Sequence, residues 1–242
     1  GAIFNVTGAN GFNKDVEVTN GKIILEKIRK GTYLVKEKFS PEGYLLNTET
    51  YKVEVKPNQT ATQAIVNDEP TGEIEIETGN KNRVDGTSYH GDASIKGAEY
   101  TLYASEDIYN KKGTIKYFSK DEEIAKFTFN EKGVASVKIT NNTTPAQISV
   151  KGSKLIGLPM GNFYSKETVV PKGYTKDTNT YTYTLSYKDS NTKVIKTSGI
   201  VKNTVQKAPF EVIKISTNNN TTAEIVENAE FTETPIISSM GA

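Results

Sequence analysis

Two glutamates stand inside runs of apolar and aromatic residues, where a carboxyl group is least expected and most able to do chemistry. Glu37 lies in GTYLVKEKFSPEGY, Gly31 to Tyr44, and Glu167 in GNFYSKETVVPKGY, Gly161 to Tyr174. Gly, an aromatic residue, Glu, Pro, Gly and Tyr recur at identical spacing, 130 residues apart (167 less 37). A carboxyl withdrawn from water resists ionisation, so its pKa rises and it becomes a proton donor or relay near neutral pH. Lys36 and Lys166 directly precede these glutamates, and consecutive strand residues point to opposite faces, so they are not ion-pair partners. A glycosidase needs two carboxylates flanking one cleft, whereas Glu37 and Glu167 fall in separate copies of a repeat.

Such a repeat describes like modules in tandem, and an offset of this size suits an ordinary domain. The expected boundaries are 1–69, 70–207 and a tail at 208–242. Short segments rich in β-branched and aromatic residues alternate with Gly, Asn and Pro turn signals, which predicts strands throughout. In the first module they are Ala2 to Val6, Val16 to Val18, Lys22 to Leu25, Thr32 to Lys38, Tyr51 to Val55 and Thr62 to Val66. In the second, Tyr181, Tyr183, Leu185 and Tyr187 alternate with Thr182, Thr184 and Ser186, the period of a strand with one buried face. Seven or so short strands per module predict an all-β fold of tandem Ig-like sandwiches rather than a barrel or propeller. The second module is longer: Gly97 to Glu167 spans 70 residues (167 less 97) against 36 (37 less 1) from Gly1 to Glu37. The extra stretch, 105–142, is expected as an insertion that opens with a short helical turn at SEDIYNKKG, in the first instance a decorated loop or hairpin and alternatively a surface for display.

The chain has 242 residues, with 30 Lys+Arg against 29 Asp+Glu and a formal charge of +1. Neither nucleic acid nor an acidic membrane finds an electrostatic partner in that balance. Cysteine and tryptophan are absent and His90 is the single histidine, which excludes disulfides, thiolate metal sites and a zinc centre; no cofactor is expected. No apolar run approaches the roughly 18 residues of a membrane span. No signal peptide opens the chain, which reads as a piece of a longer protein.

The strand pattern resembles the CnaB-type, or SpaA-like, domains of Gram-positive surface proteins and pilins. The residues that carry the resemblance are GAIF from Gly1, Leu25, GTYLVKEKFSPEGY and AIVN ending at Asn67. They return as GAEY from Gly97, Leu155, GNFYSKETVVPKGY and IVKN ending at Asn203. The resemblance implies prealbumin-like Ig-type sandwiches. It further implies an intramolecular amide between a first-strand Lys and a last-strand Asn, assisted by the buried Glu, Glu37 or Glu167 here. That chemistry is physically coherent, since a buried lysine is readily neutral, a protonated carboxyl polarises the amide, and contact makes the reaction unimolecular. It occurs once per molecule, so the chain is not expected to be an enzyme.

Carried over residue by residue, the pattern gives the first module Glu37 and Asn67 but starts it on the second strand. The second module has Glu167 and Asn203, with Thr78 where the family lysine falls; Lys81 is displaced toward the turn, and Lys81 or Lys96 substitutes only if the register shifts. Alternatively this module is uncrosslinked and Glu167 finds other hydrogen-bond partners. The tail reads APFEVIKIS from Ala208, like another first strand with Lys214 as its family-type lysine, and ENAEF matches GAIF. An unpaired sheet edge invites such a strand. The expectation is that Phe210 to Ser216 completes the first module of a neighbouring copy, with Lys214 facing Glu37 and Asn67. The implied function is a stalk or backbone segment of a cell-wall-anchored adhesin or pilin at the cell surface. Its partners would be neighbouring modules of the same protein and a second copy exchanging a strand head to tail. The competing expectation is an adhesin module that binds a host extracellular matrix protein or glycan through 105–142.

Overall fold

Alternating sequence becomes strand in this chain wherever a ladder partner is at hand. The structure is a computed structural model that describes residues 1–80, 92–141, 143, 145–213, 215–217 and 223–225. The first 69 residues form β1 (Ile3–Thr7), β2 (Asn13–Glu17), β3 (Gly31–Phe39) and β4 (Thr50–Val55). Then come β5 (Thr71–Thr78), β6 (Glu99–Ala104), β7 (Ile108–Tyr109), β8 (Lys116–Phe118), β9 (Glu123–Phe129) and β10 (Ala135–Ile139). They are followed by β11 (Ser149–Lys151), β12 (Lys154–Leu158), β13 (Gly161–Val169), β14 (Tyr174–Thr175), β15 (Tyr181–Leu185) and β16 (Val194–Val201). The described chain ends in β17 (Thr204–Val205), β18 (Ile215–Thr217) and β19 (Ala223–Ile225).

Two sheets face each other between residues 71 and 201, ordered β10-β9-β6-β13-β15 and β11-β12-β5-β16. Their inner faces share one apolar core, including Ile74, Ile76, Leu102, Phe127, Leu155 and Phe163, all at most 1 % exposed. Burial on this scale is the main stabilising term, about 25 cal/mol per Å² removed from water. The two faces approach so closely that a Cβ on Gly199 would lie 2.6 Å from the Tyr183 ring. Tyr183 and Leu185 point inward and Thr182 and Thr184 outward, as the period of two predicts.

The first module has one sheet, β2-β1-β3-β4, in the register of β9-β6-β13-β15. Ala2, Phe4, Val6, Tyr33 and Glu37 are buried on its inner face, yet none belongs to the apolar core of the second module. The strands expected at Lys22 to Leu25 and Thr62 to Val66 do not form; Lys22 makes only an isolated bridge to Thr19. Their counterparts explain why. In the second module β12 and β16 both pair with β5, one antiparallel and one parallel, so β5 is the centre of its sheet. Among the described residues no strand takes that place in the first module, and the two segments that would flank it have no ladder. The correspondence is close even so: Lys27 (φ 57°) and Gly157 (φ 77°) hold the same left-handed turn at the same offset.

The described part of the stretch 105–142 folds as two antiparallel pairs, the hairpin reading of the insertion. Its opening forms β7, paired with β8, in place of the expected helical turn. Ile108, Phe118, Ile124 and Phe129 are buried in the core, because alternating apolar residues here find a sheet to join. Within it β9 takes the sheet position that β2 takes in the first module, and β10 adds an edge. At the other end β18 pairs with β19, leaving Phe210, Val212, Ile213 and Ile215 exposed.

Candidate functional site

Glu37 sits on β3 with its side chain on the inner face and 2 % exposed. Lys36 beside it is exposed, the opposite orientation that the strand period requires. The carboxyl is gripped on one oxygen. Glu37 Oε2 accepts the Asn47 main-chain N–H at 2.7 Å and the Asn67 Nδ2 amide at 2.6 Å. Asn67 Nδ2 also donates to the Leu45 carbonyl at 2.9 Å, which fixes which end of the amide is nitrogen. Glu37 Oε1 is buried and, among the described residues, accepts no hydrogen bond. An orphaned buried acceptor of this kind costs about 1–3 kcal/mol, so a donor reaching it would be stabilising.

The second module repeats the grip and fills the rest of the site. Glu167, 3 % exposed on β13, accepts the Asp177 N–H at 2.6 Å on Oε2 and Asn203 Nδ2 at 2.5 Å on Oε1. Burial lifts the Glu167 carboxyl above its ordinary pKa, although both hydrogen bonds favour its charge. Tyr100 donates to Asp177 Oδ2 at 2.8 Å and lies 3.4 Å from Asn203 Oδ1; Tyr181 donates to the same Asp177 oxygen at 2.7 Å. Burial, with the Asp177 hydrogen bond second, pushes the Tyr100 hydroxyl far above its usual pKa, so it remains a donor. Asn80, just past β5, brackets Asn203: its Nδ2 donates to the Asn203 carbonyl at 3.1 Å and its Oδ1 accepts the Asn203 N–H at 2.8 Å.

The structure thus brings Glu37 to Asn67 and Glu167 to Asn203. Thr78 is buried on β5 at the position of the family lysine, and among the described residues no lysine bonds to Glu167 or Asn203. Lys96 is elsewhere, paired on the surface with Glu131 at 2.8 Å. Lys81 and Lys214 lie outside the described residues. Sequence reasoning missed Asn47, Asp177, Tyr100 and Asn80. The first two were within reach, since NTETY from Asn47 returns as DTNTY from Asp177 at the same 130-residue offset (177 less 47). Asn80 and the Tyr100 hydroxyl have no counterpart in the first module, where Phe4 stands in place of Tyr100.

A groove of about 550 Å³ opens on the first module, lined by Leu25, Ile28, Val55 and Pro57 among others. At the repeat offset the first three map onto Leu155, Leu158 and Leu185. Leu158 stands opposite Gly72 at the start of β5, and a Cβ on Gly72 would meet Leu185 Cδ1 at 2.1 Å. The groove therefore lies where β5 begins in the complete sandwich.

Residues 1–69 match the SpaA family, described as a prealbumin-like fold domain. No curated protein matches the sequence. Among solved structures, the Bacillus anthracis TIE protein is 28 % identical over 85 % of this chain and 31 % of its own, with a TM-score of 0.53. A streptococcal ancillary pilin is 18 % identical over 86 % of this chain and 58 % of its own, TM-score 0.29. The C-terminal fragment of the pilus adhesin SpaC from Lactobacillus rhamnosus GG is 13 % identical over 86 % and 91 %, TM-score 0.38. The chain spans about a third of the TIE protein structure and rather more than half of the ancillary pilin. Its fold is SpaA-like, an all-β prealbumin-type sandwich architecture, and residues 1–69 match that family directly.

Proposed function

We propose that this chain is a stalk or backbone segment of a Gram-positive, cell-wall-anchored surface adhesin or pilin, and that its first module closes by a Lys–Asn amide bond. The modules run 1–69 and 70–207, with 208–242 contributing a first strand. The observation that carries the reading is the Glu37–Asn67 contact at 2.6 Å beside the buried Glu37 Oε1, which has no partner among the described residues. A neutral lysine amine entering at Oε1 attacks the Asn67 side-chain carbonyl carbon. Glu37 takes up the proton that the attacking amine sheds and hands it on to Nδ2, the C–Nδ2 bond breaks and ammonia leaves. Glu37 ends as it began, so the event is maturation with one turnover, and no cofactor takes part.

Lys214 supplies the amine. Phe210, Val212 and Lys214 alternate as Ile74, Ile76 and Thr78 do on β5, and the exposed apolar side chains of the tail suit the groove beside Leu25 and Val55. The strand enters a neighbouring copy, head to tail, by strand addition. Ammonia loss, counted by intact mass, accompanied by chain multimers that survive denaturation, is the expected result. Chains that remain monomeric in denaturant at the mass of the sequence would end this reading. A ligand-binding role for 105–142 is less well supported, because its apolar side chains Ile108 and Phe118 serve the core.

A further inference from the structure

We infer that Asn47 is a positioning residue for this amide-forming reaction, locking the Glu37 carboxyl to the segment that carries Asn67. The inference rests on the reading of Glu37 and Asn67 as a crosslinking pair. Asn47 works from both ends of its own residue. Its main-chain N–H holds Glu37 Oε2 at 2.7 Å, while its side-chain Nδ2 donates to the Val66 carbonyl at 2.8 Å, one residue before Asn67. The same Nδ2 donates to the Tyr51 hydroxyl at 2.8 Å, and Oδ1 accepts the Glu49 N–H at 2.9 Å. These contacts close a ring, Glu37 to Asn47 to Val66–Asn67 and back through the 2.6 Å contact.

The ring matters because residues 61–67 have no strand ladder to fix them. Among the described residues, Asn67 is held against Glu37 by local bonds: the Asn47 amide on the Val66 carbonyl, the Leu45 carbonyl on Asn67 Nδ2, and the Leu45 N–H on the Asp68 carbonyl at 2.8 Å. In the second module the eight-residue ladder from Thr71/Val194 to Thr78/Val201 already places β16. There the equivalent residue is Asp177, whose carboxylate has no proton to give a main-chain carbonyl. It keeps the N–H grip on Glu167 and turns its side chain to Tyr100 and Tyr181. The amide is present where the segment needs tethering, and the carboxylate where the ladder has made a tether unnecessary.

The test is the rate of ammonia loss in the full chain, followed by intact mass from pH 5 to 9 in wild type, N47A and N47D. N47A keeps the main-chain grip and loses the tether, so the reaction should slow by about tenfold or more, the scale of a sub-ångström to ångström misplacement of reacting groups. N47D keeps the shape, the Glu49 contact and the Tyr51 contact, but sets a second carboxylate beside Glu37, so the pH–rate profile should also move to higher pH. Tyr51→Phe, which removes an outer contact alone, should leave the profile in place. N47D reacting at the wild-type rate with an unshifted profile overturns the inference. A wild-type chain that never loses ammonia overturns instead the crosslinking reading beneath it.

Discussion

Glu37 and Glu167 occupy one position in two copies of a motif, and their surroundings give them different work. Each holds a main-chain N–H and an asparagine amide, but among the described residues only Glu167 has both oxygens engaged. Because burial raises the Glu167 pKa, its folded state binds a proton more tightly than the unfolded chain does. The sign follows: stability from this group is fully present below the ordinary glutamate pKa of about 4.3 and is lost as pH rises through the elevated folded value. The second module should therefore gain stability on acidification from neutral pH toward that ordinary value. Glu167→Gln should flatten this part of the pH dependence, as read from urea midpoints. An unchanged slope in the variant would show that Glu167 is ionised at no cost.

At the scale of elements the decisive strand is β5. It sits between β12 and β16, and the module that has it builds a two-sheet core, whereas the corresponding segments of the first module stay out of register with any partner. Strand propensity in Thr62 to Val66 was legible in the sequence; its failure was not, because a strand's stability resides in its neighbour. The fold class, the inward Glu37 and Glu167 and their asparagines were also legible, since period two and the repeat offset encode them. The Asn80 clamp was hidden because an Asn after a strand reads as a turn residue. Here it acts as a side-chain continuation of the β5–β16 ladder, holding Asn203 by both main-chain groups. This clamp and the Tyr100–Asp177 bond hold the buried surroundings of Asn203 by hydrogen bonds. Asn80→Ala should destabilise the second module by about 2 kcal/mol, the cost of leaving buried main-chain groups unpaired. Its first effect should be faster amide exchange at Lys202 to Thr204, and equal exchange in both proteins would remove Asn80 from this role.

For the whole molecule, the contrast among the described residues is between a second module of two facing sheets and a first module of one. Tyr33 and Phe4 are shielded on that sheet's inner face, but Leu25, Ile28 and Val55 line an open groove, and Phe210 and Val212 project from the other end of the chain. On the proposed strand addition, matching them across copies would remove apolar surface at both ends and would give residues 22–28 and 61–67 a ladder. Noncovalent addition and amide formation are separable steps, since one depends on strand pattern and the other on an amine that can shed its proton. Lys214→Arg keeps the length and the cation while removing the nucleophile, because guanidinium stays protonated in proteins. The variant should still associate, with amide exchange slowing at 22–28 and 61–67 as concentration rises, yet every assembly should fall apart in denaturant. Denaturant-resistant multimers in the variant would place the nucleophile on another lysine. Concentration-independent exchange at both segments would refute strand addition itself.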